Sequence, residues 1–372
     1  MAADTLCHTP FGEFTLHRYP SRRDEPLRAW CAADLLLLDA VKHREIAGAD
    51  VLVVNDEHGA LCVPLGARGL WTDSALSALA LARNLAANQR TDVPVTWSTA
   101  PPPTGAAVVV LRIPKVLPYF EYQLALLQHH FPTGTTVLAA GMDKHLSPHV
   151  AGLLDKYIGP TERHPGQRKA RLFSARLEDK PPQPVHDNAR YHCDALGCDL
   201  QAMPNVFSQD KLDGGSRLLL QQLAGLAPAG TLIDLACGNG VLGLAAFKQG
   251  LASEVIFADE SAMALESARI NSAQLFAGVS FGFHHDDALE NYQGPAADLI
   301  LCNPPFHLNH AVDEYAGRRL VAHCARYLQT GGRLCLVANR HLDYLPTLKR
   351  SFGRVETLAQ DRRFIVWLAR QD

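Results

Sequence analysis

The fold is decided by residues 231–248, which read TLIDLACGNGVLGLAAFK. The first four residues form a short apolar strand, residues 241–248 have a helical pattern, and small residues between them predict a tight turn. Such a turn lets backbone amides approach a ligand closely, and the amino terminus of the helix adds a positive field. The pattern alone is weak evidence, because nicotinamide, flavin, phosphate and S-adenosylmethionine sites share it with purely structural turns.

Acidic residues follow the next two predicted strands. Residues 255–258 are apolar and end at Asp259 and Glu260, where a carboxylate can accept hydrogen bonds from both hydroxyls of a ribose. A strand around 279–283 ends at residues 284–288, where a side-chain acid can bind the adenine amine, although solvated loop acids explain this segment equally well. The two positions together predict an adenosyl ligand.

A segment before the first strand of this half completes the predicted cofactor site. Residues 205–216 predict a helix opening that would close over the methionine end of S-adenosylmethionine, and an ordinary capped helix is the alternative interpretation. The residues predicted to bind the cofactor are Phe207, Ser208, Asp213, Asp234, Ala236, Cys237, Gly238, Asn239, Gly240, Asp259, Glu260, Asp286, Asp287 and Ala288.

The tetrapeptide Asn303-Pro304-Pro305-Phe306 is the most specific functional signal in the chain. It follows the apolar run 297–302, which reads as a buried strand, so it lies where open α/β sheets place their chemistry. An amide side chain, two prolines that stiffen the turn and an aromatic ring suit a planar substrate that carries an amine. The order of acid, turn, ribose acid, adenine acid and tetrapeptide matches S-adenosylmethionine-dependent methyltransferases that act on exocyclic or amide nitrogen.

Composition restricts the class of protein further. The chain has 372 residues, enough for two domains, and its 47% hydrophobic residues can build their cores. Nine cysteines without a second Cys/His pair at ligand spacing predict a reduced, cytoplasmic protein without a metal site, and no apolar run is long enough to span a membrane. The formal net charge of −3 argues against nonspecific coating of nucleic acid, but local basic clusters could bind phosphates.

An internal repeat divides the chain at the proline-rich segment 180–184. Strands, turns and helices of the first half recur in the same order in the second half, which predicts an α/β protein with two tandem Rossmann-like methyltransferase domains from one duplicated unit, residues 1–183 and 184–372. In the first half the glycine turn is replaced by residues 55–58, which include two acids, and Arg112 stands where the second half has Asn303. The first domain is therefore predicted to be a degenerate copy, kept for RNA docking or for structure.

At finer grain, the chain resembles the bacterial ribosomal RNA large subunit methyltransferase G family over nearly its whole length. The resemblance rests on FTLHRYP (14–20), LRAWCAAD (27–34), VND with GAL (54–56 and 59–61), NVFS (205–208), CNPPFH (302–307) and VANRHLDY (337–344). It implies S-adenosylmethionine-dependent methylation of the exocyclic N2 amine of a guanine in 23S ribosomal RNA. A 16S guanine methyltransferase is the nearest alternative; a protein-glutamine or DNA-adenine enzyme, or a ribosome-binding protein without activity, is more remote.

The resemblance also implies roles for individual residues. The side-chain oxygen of Asn303 and the backbone carbonyl of Pro304 would accept the amine hydrogens, and Phe306, after Pro305, would stack on the base. Arg112, Lys115, His307 and Arg340 are the predicted RNA contacts, and an ion pair with Asp343 is the alternative role of Arg340.

This chain departs from the family pattern at a few positions. Ala236 replaces a glycine, a change that is tolerable if its φ is negative. Gln209 replaces an arginine, and Lys211 replaces a glycine and would add strain if its position has a positive φ. A duplicated unit within one chain favours a monomer.

Overall fold

The computed structural model describes residues 3–22, 24–304 and 310–372, with side chains after residue 304 described from residue 317 onward. The chain forms two compact units, Met1–Asp187 and Asn188–Asp372. Within the described residues, no helix is long and apolar enough to cross a membrane, and no cluster of His, Cys, Asp and Glu could hold a metal ion.

The first unit contains a small hairpin and one large sheet flanked by helices. Its elements are β1 (Leu6–Thr9), β2 (Gly12–Thr15), α1 (Ala32–His43), β3 (Val51–Val54), α2 (Cys62–Leu65), β4 (Gly69–Thr72), α3 (Ala75–Ala87), β5 (Val95–Trp97), β6 (Val108–Arg112), α4 (Leu117–His130), β7 (Thr136–Met142), α5 (Val150–Tyr157), β8 (Glu162–Arg163) and β9 (Ala170–Arg176). The sheet order is β5-β4-β3-β6-β7-β9-β8. The first five strands in this order are parallel, and β9 runs antiparallel to both β7 and β8.

The second unit repeats this arrangement. Its elements are β10 (Ala189–Cys193), β11 (Cys198–Ala202), α6 (Gly214–Leu220), β12 (Ala229–Leu235), α7 (Val241–Lys248), β13 (Ala252–Asp259), α8 (Ala262–Leu275), β14 (Gly282–His285), β15 (Ala297–Cys302), α9 (His310–Tyr327), β16 (Leu328–Asn339), α10 (Leu345–Ser351), β17 (Arg354–Gln360) and β18 (Phe364–Arg370). The sheet order is β14-β13-β12-β15-β16-β18-β17. Strand by strand it matches the first sheet, which confirms the predicted duplication.

The core of the second unit lies on both faces of its sheet. Along β12, Leu232 packs into one hydrophobic cluster, whereas Ile233 and Leu235 pack into the other. Because helices cover both faces, the parallel strands β12 and β15 are mostly apolar on both faces, with Asp234 and Asp298 as charged exceptions. Strand β12 pairs with β13 on one side and β15 on the other, so the chain reverses its winding direction at this point. A crevice at the carboxyl ends of β12 and β15 follows from that reversal.

The strand predicted over residues 279–283 lies further along the chain, as β14 (Gly282–His285). Val279 instead donates its backbone N–H to the carbonyl of Phe276 in the turn that ends α8, and its side chain is 43% exposed. The backbone therefore cannot join the sheet until Gly282, and the acids after the strand begin one residue beyond its end.

A strained turn connects β8 to β9 in the first unit. Gln167 and Ala170 exchange two backbone hydrogen bonds of 2.9 Å, and both residues between them have positive φ: 50° at Arg168 and 61° at Lys169. Two-residue turns with positive φ at both positions favour Asn-Gly, because a Cβ in the left-handed region costs about 1–2 kcal/mol. Two long cationic side chains therefore occupy this turn at a conformational cost.

Candidate active site

The turn after β12 opens the crevice to a ligand. Gly238 has φ 54°, and among the described residues a Cβ built there would meet one atom, Val206 Cγ1 at 3.9 Å, so this side of the turn is open to that part of the chain. Gly240 has φ 84°, and a Cβ there would come within 3.0 Å of Ala268 Cβ. The two glycines thus serve different purposes, since one permits approach from outside and the other permits close packing of α8.

Ala236 is the exception in this turn. Alanine is expected to be tolerated at this position if its φ is negative. The observed φ is 57°, so this condition is not met. The residue keeps a left-handed conformation where glycine would be free of strain, at a cost of about 1–2 kcal/mol. Lys211 has no positive φ, whereas Ser208 does (56°), so the strain in the 205–213 loop is at Ser208 rather than at Lys211.

Asp234 joins the end of β12 to the start of α7. Its side chain is 1% exposed, and its Oδ2 accepts the backbone N–H of Gly243 at 2.8 Å. The other carboxyl oxygen, Oδ1, has no hydrogen-bond partner in the described part of the chain. Burial raises the pKa of Asp234 to about 8, so the acid is mostly protonated at neutral pH. A Cβ at Gly243 would lie 2.7 Å from Phe257 Cε1 and 3.1 Å from Asp234 Oδ2, which explains the glycine there.

Asp259 links two backbone segments at the carboxyl end of β13. Its Oδ2 accepts the N–H of Gly238 and its Oδ1 that of Ser261, both at 3.0 Å. Ser261 in turn caps α8, since its Oγ accepts the N–H of Ala264. Asp259 therefore fixes the glycine turn of one strand to the end of the next, while the partly exposed Glu260 lies beside it at the same sheet edge.

The acids after β14 have different environments. Asp287 is 5% exposed and forms an ion pair with Arg319 of α9, in which Arg319 Nη1 donates to Asp287 Oδ1 at 3.2 Å. Asp286 is partly exposed and accepts a hydrogen bond from Asn291 at 2.9 Å. Ala288 follows with φ 55°. Asp286 is thus the more accessible of the two acids. Arg319 orients Asp287 toward α9, and no sequence pattern indicates this role for Arg319.

The segment before α6 brings Asp213 to the end of β15. The Oδ2 atom of Asp213 caps the helix by accepting the N–H groups of Gly215 at 2.8 Å and Ser216 at 3.1 Å. Upstream, Phe207 is 52% exposed and Ser208 Oγ donates to the carbonyl of Lys211 at 2.9 Å. Asp213 therefore caps α6 beside the end of β15, and the exposed Phe207 belongs to the same segment, whose Val206 lies near Gly238 of the glycine turn.

Asn303 has a fixed side-chain orientation. Its Nδ2 donates to Asp213 Oδ2 at 3.0 Å and to Ser216 Oγ at 2.9 Å. A carboxylate only accepts hydrogen bonds, so the amide nitrogen must point toward Asp213 and the amide oxygen away from it. That oxygen, Oδ1, is buried and has no partner among the described residues. Asn303 thus presents a desolvated hydrogen-bond acceptor at the carboxyl end of β15.

Three further predicted residues, Pro305, Phe306 and His307, lie outside the described residues. Pro304 is buried at the end of the described segment. Arg340 is exposed after β16, where its Nη1 donates to the carbonyl of Asp361 at 3.0 Å instead of pairing with Asp343.

Tyr191 of β10 also supports the cofactor turn, although nothing in the sequence pattern indicates it. Its hydroxyl accepts a hydrogen bond from Asn239 Nδ2 at 3.1 Å, and burial raises the pKa of Tyr191 to about 12. Asn271 of α8 donates to the carbonyl of Asn239 at 3.0 Å. The hairpin β10–β11 and α8 therefore hold the turn from outside the sheet.

The equivalent turn of the first unit is filled by the protein itself. Asp56 accepts three backbone N–H groups at the start of α2, those of Ala60, Leu61 and Cys62, at 2.8–2.9 Å. Asp56 is 1% exposed, and burial raises its pKa. A side-chain carboxyl thus occupies the helix amino terminus at which a ligand would bind in an intact site.

Arg112 is a predicted RNA contact, but its side chain is engaged within the first unit and is not free to bind phosphate. It forms an ion pair with Asp34 of α1 and donates to Cys31 Sγ at 3.0 Å, and its side chain is only 16% exposed. The physical reason is that Asp34 lies in the first turn of α1, which packs beside the end of β6. Lys115, three residues later, is exposed and remains accessible.

The residues of the second unit fit S-adenosylmethionine. A glycine turn after β12, carboxylates at the carboxyl ends of β13 and β14, and the Asp213 cap that binds Asn303 after β15 lie at the same edge of one sheet. A family model described as the methyltransferase small domain matches residues 197–368, and one described as the RLMG N-terminal domain matches residues 4–179. Fold and site together define an S-adenosylmethionine-dependent methyltransferase.

Relatives along the whole chain identify the family. The protein is 38% identical to the ribosomal RNA large subunit methyltransferase G of Alcanivorax borkumensis, covering 98% of this chain and 96% of the relative. It is 36% identical to the methyltransferase of the same name from Pseudomonas putida, covering 98% and 100%. The chain therefore belongs to the ribosomal RNA large subunit methyltransferase G family.

Among solved structures, the chain is similar to a 16S rRNA N2 methyltransferase of T. thermophilus in complex with AdoMet and guanosine. The TM-score is 0.77, the sequence identity 21%, and the match covers 99% of this chain and 98% of the other. This similarity concerns the fold, and it includes both units.

Proposed function

We propose that the protein methylates the exocyclic N2 amine of a specific guanine in 23S ribosomal RNA. The observation that carries the proposal is the buried, unpaired Oδ1 of Asn303, held in place through Nδ2 by Asp213 and Ser216. A buried acceptor without a donor costs about 1–3 kcal/mol, and a substrate amine would remove this cost by donating a hydrogen. The relatives' names, which all specify the large subunit, support 23S over 16S RNA.

The chemistry of a guanine amine explains the need for such an acceptor. Its lone pair is delocalised into the ring, so nucleophilic attack requires the nitrogen to become more tetrahedral. Asn303 Oδ1 and the backbone carbonyl of Pro304 would accept the two amine hydrogens, orient the lone pair and stabilise positive charge as it develops on nitrogen. Bound S-adenosylmethionine supplies an electrophilic methyl group activated by its sulfonium charge. No strong base is needed, because the alkylated amine is acidic and loses its proton after methyl transfer.

The second unit supplies the cofactor-binding residues in this proposal. The glycine turn 236–240 would contact the methionine end together with Asp213, and the acid pair Asp259 and Glu260 would bind the ribose. Asp286 is the better placed acid for the adenine amine, since Asp287 is paired with Arg319. Phe207, Ser208 and Ala288 would border the ligand.

The RNA must expose the target base before reaction. A guanine in a helix has its amine in the minor groove, so the target is in a loop, in incompletely folded RNA, or flipped out at a cost of a few kcal/mol. Stacking on Phe306 would offset part of this cost, and His307 and Arg340 would contact the adjacent RNA. The first unit would serve in docking or stability, and the enzyme would act as a cytoplasmic monomer without a metal ion.

A direct methylation assay tests the proposal. Unmodified 23S RNA transcribed in vitro is incubated with the protein and radiolabelled S-adenosylmethionine, with 16S transcript, duplex DNA and a peptide mixture as alternative substrates. We expect labelled N2-methylguanosine at one position of the 23S transcript, located by nuclease mapping. Preferential labelling of 16S RNA, adenine in DNA or glutamine would each contradict the proposal and indicate the class of substrate instead.

A further inference from the structure

A basic surface lies at the carboxyl edge of the first sheet, at the end where the degenerate turn is located. Four exposed cations define it, and we call it the basic edge: Lys115, Lys144, Arg168 and Lys169. None of the four has an ion-pair partner within residues 3–22, 24–304 and 317–372.

The sheet topology brings these residues together from three separate segments. Lys115 follows β6, and Lys144 follows β7, which is parallel to β6, so both lie beyond the same ends of neighbouring strands. Strand β9 is antiparallel to β7, and its first residue pairs with Met142, so the Arg168–Lys169 turn lies at that edge too. The backbone N–H of Asp143 donates to the carbonyl of Lys169 at 2.9 Å, which ties the turn directly to the segment that carries Lys144.

Electrostatic effects on a neighbouring group agree with this placement. His145 is exposed, and its pKa is lowered first by partial burial and then by the positive charges of Lys115 and Lys144. Asp143 pairs with Arg171 at 3.5 Å, so it offers little neutralisation, and among the described groups that shift the pKa of His145, Glu57 is the acid that opposes the cations. The basic edge therefore has a net positive charge.

The backbone conformation of the turn indicates that the side chains of Arg168 and Lys169 have a role other than stabilising the fold. Arg168 and Lys169 both have positive φ in a two-residue turn, where Asn-Gly would be favoured without strain. A cost in stability that local structure does not need is a feature of functional positions. The two side chains gain no compensating ion pair in the described chain.

We propose that the basic edge binds the phosphodiester backbone of ribosomal RNA and docks the substrate on the first unit. The inference rests on the proposed function and moves the docking role from Arg112, which Asp34 neutralises, to residues from the ends of β6, β7 and the β8–β9 turn. Unpaired lysine and arginine side chains spread over one edge provide positive charge without base readout, as phosphate contacts require.

The decisive variant is the double substitution Arg168→Asn/Lys169→Gly, which removes two charges and at the same time supplies the favoured turn residues. We expect its melting temperature to equal or exceed that of the unsubstituted protein. Affinity for unmodified 23S transcript should fall about fivefold or more, and the slope of log K against log salt should decrease by about 1.4–1.8, because each lost phosphate contact contributes about 0.7–0.9.

A matched control removes two charges from the opposite edge of the same sheet. Lys42 and Arg44 are exposed at the end of α1, far along the helix from Asp34, and Lys42→Gln/Arg44→Gln should leave RNA affinity and salt slope unchanged. A second test variant, Lys115→Gln/Lys144→Gln, leaves the β8–β9 turn unchanged, so its effect on binding does not depend on how the turn substitution affects the first unit. It should weaken RNA binding by a similar factor.

The outcomes separate the docking inference from the proposed function. If the unsubstituted protein methylates 23S transcript but both basic-edge variants bind it with control affinity and slope, the docking inference is wrong and the methylation proposal is unaffected. If the variants bind naked transcript normally but lose binding to ribosomal particles, the partner of the basic edge is a protein, which also overturns the inference. Absence of methylation of any ribosomal RNA by the unsubstituted protein would instead overturn the proposed function.

Discussion

Replacing Asn303 by alanine should separate catalysis from binding and from folding. The substitution removes the amide whose Oδ1 is buried and unpaired and whose Nδ2 bonds to Asp213 and Ser216. The lost hydrogen bond to a carboxylate is worth about 1.5–3 kcal/mol and the one to a hydroxyl about 0.5–1.5 kcal/mol, while relief of the unpaired oxygen returns about 1–3 kcal/mol. These contributions nearly cancel, so we expect the free energy of unfolding to change by less than about 2 kcal/mol.

The kinetic effect should be much larger than the effect on stability. In the proposed mechanism, Asn303 Oδ1 would stabilise charge that develops at the nitrogen only as the methyl group transfers. Removing one fixed hydrogen-bonding group of that kind typically lowers kcat by about 10²–10³, or about 2.7–4 kcal/mol of barrier. S-adenosylmethionine affinity should stay within about threefold of the original value, because the proposed cofactor contacts after β12, β13 and β14 do not involve Asn303, and Asp213 keeps its hydrogen bonds to the N–H groups of Gly215 and Ser216. Single-turnover methylation of 23S transcript and calorimetric cofactor titration measure the two quantities separately.

A second substitution, at Ser216, tests whether the carboxylate of Asp213 is the main group that orients the Asn303 amide. Ser216→Ala removes one acceptor of Asn303 Nδ2 and leaves the carboxylate of Asp213 in place, so kcat should fall by only about 3–10-fold, corresponding to about 1 kcal/mol. An Asn303→Ala enzyme with unchanged kcat would refute the acceptor role, and a Ser216→Ala enzyme as inactive as Asn303→Ala would show that the amide orientation does not depend mainly on the carboxylate.

Three further predictions concern the two units. Ala236→Gly should raise the free energy of unfolding of the second unit by about 0.5–1 kcal/mol, measured by chemical denaturation, because φ 57° suits glycine. Cofactor affinity should be unchanged, and a destabilised variant would contradict this prediction. Burial raises the pKa of Asp234 to about 8 from an unfolded value near 4, so its contribution to stability is complete below about pH 4 and is lost as the pH rises toward 8, by about 1.4 kcal/mol per pH unit. Denaturation curves from pH 5 to 8 should show this decline, and Asp234→Asn, which cannot ionise, should flatten it. Arg112→Met should destabilise the first unit by about 3–5 kcal/mol, because Asp34 is left buried without its partner. The RNA affinity of the folded variant should not change. A variant that keeps full stability but loses RNA binding would show that Arg112 contacts phosphate, as its position in the sequence predicts.

The sequence predicted most of the architecture because its signals are local. Apolar runs, glycine turns and helical periodicity extend over a few residues, so the alternation of strands and helices and the duplicated unit could be inferred, and helices such as 241–248 end where their pattern ends. The predictions failed where the backbone conformation is not the one that the residue type favours, and where a turn delays the start of a strand. Ala236 has a positive φ that its residue type does not favour, and β14 begins at Gly282 because the residues before it close the turn after α8.

By itself, the sequence determined the class of enzyme, the order of its elements and the strand end that carries Asn303. Only the tertiary structure decided how these residues are used. Asp213 orients Asn303 from 90 positions away, Asp34 neutralises Arg112 from 78 positions away, and Arg319 turns Asp287 away from solvent. The physical reason is that charge pairing and amide orientation depend on which groups are adjacent after folding, and contacts between distant segments leave no periodic pattern along the chain.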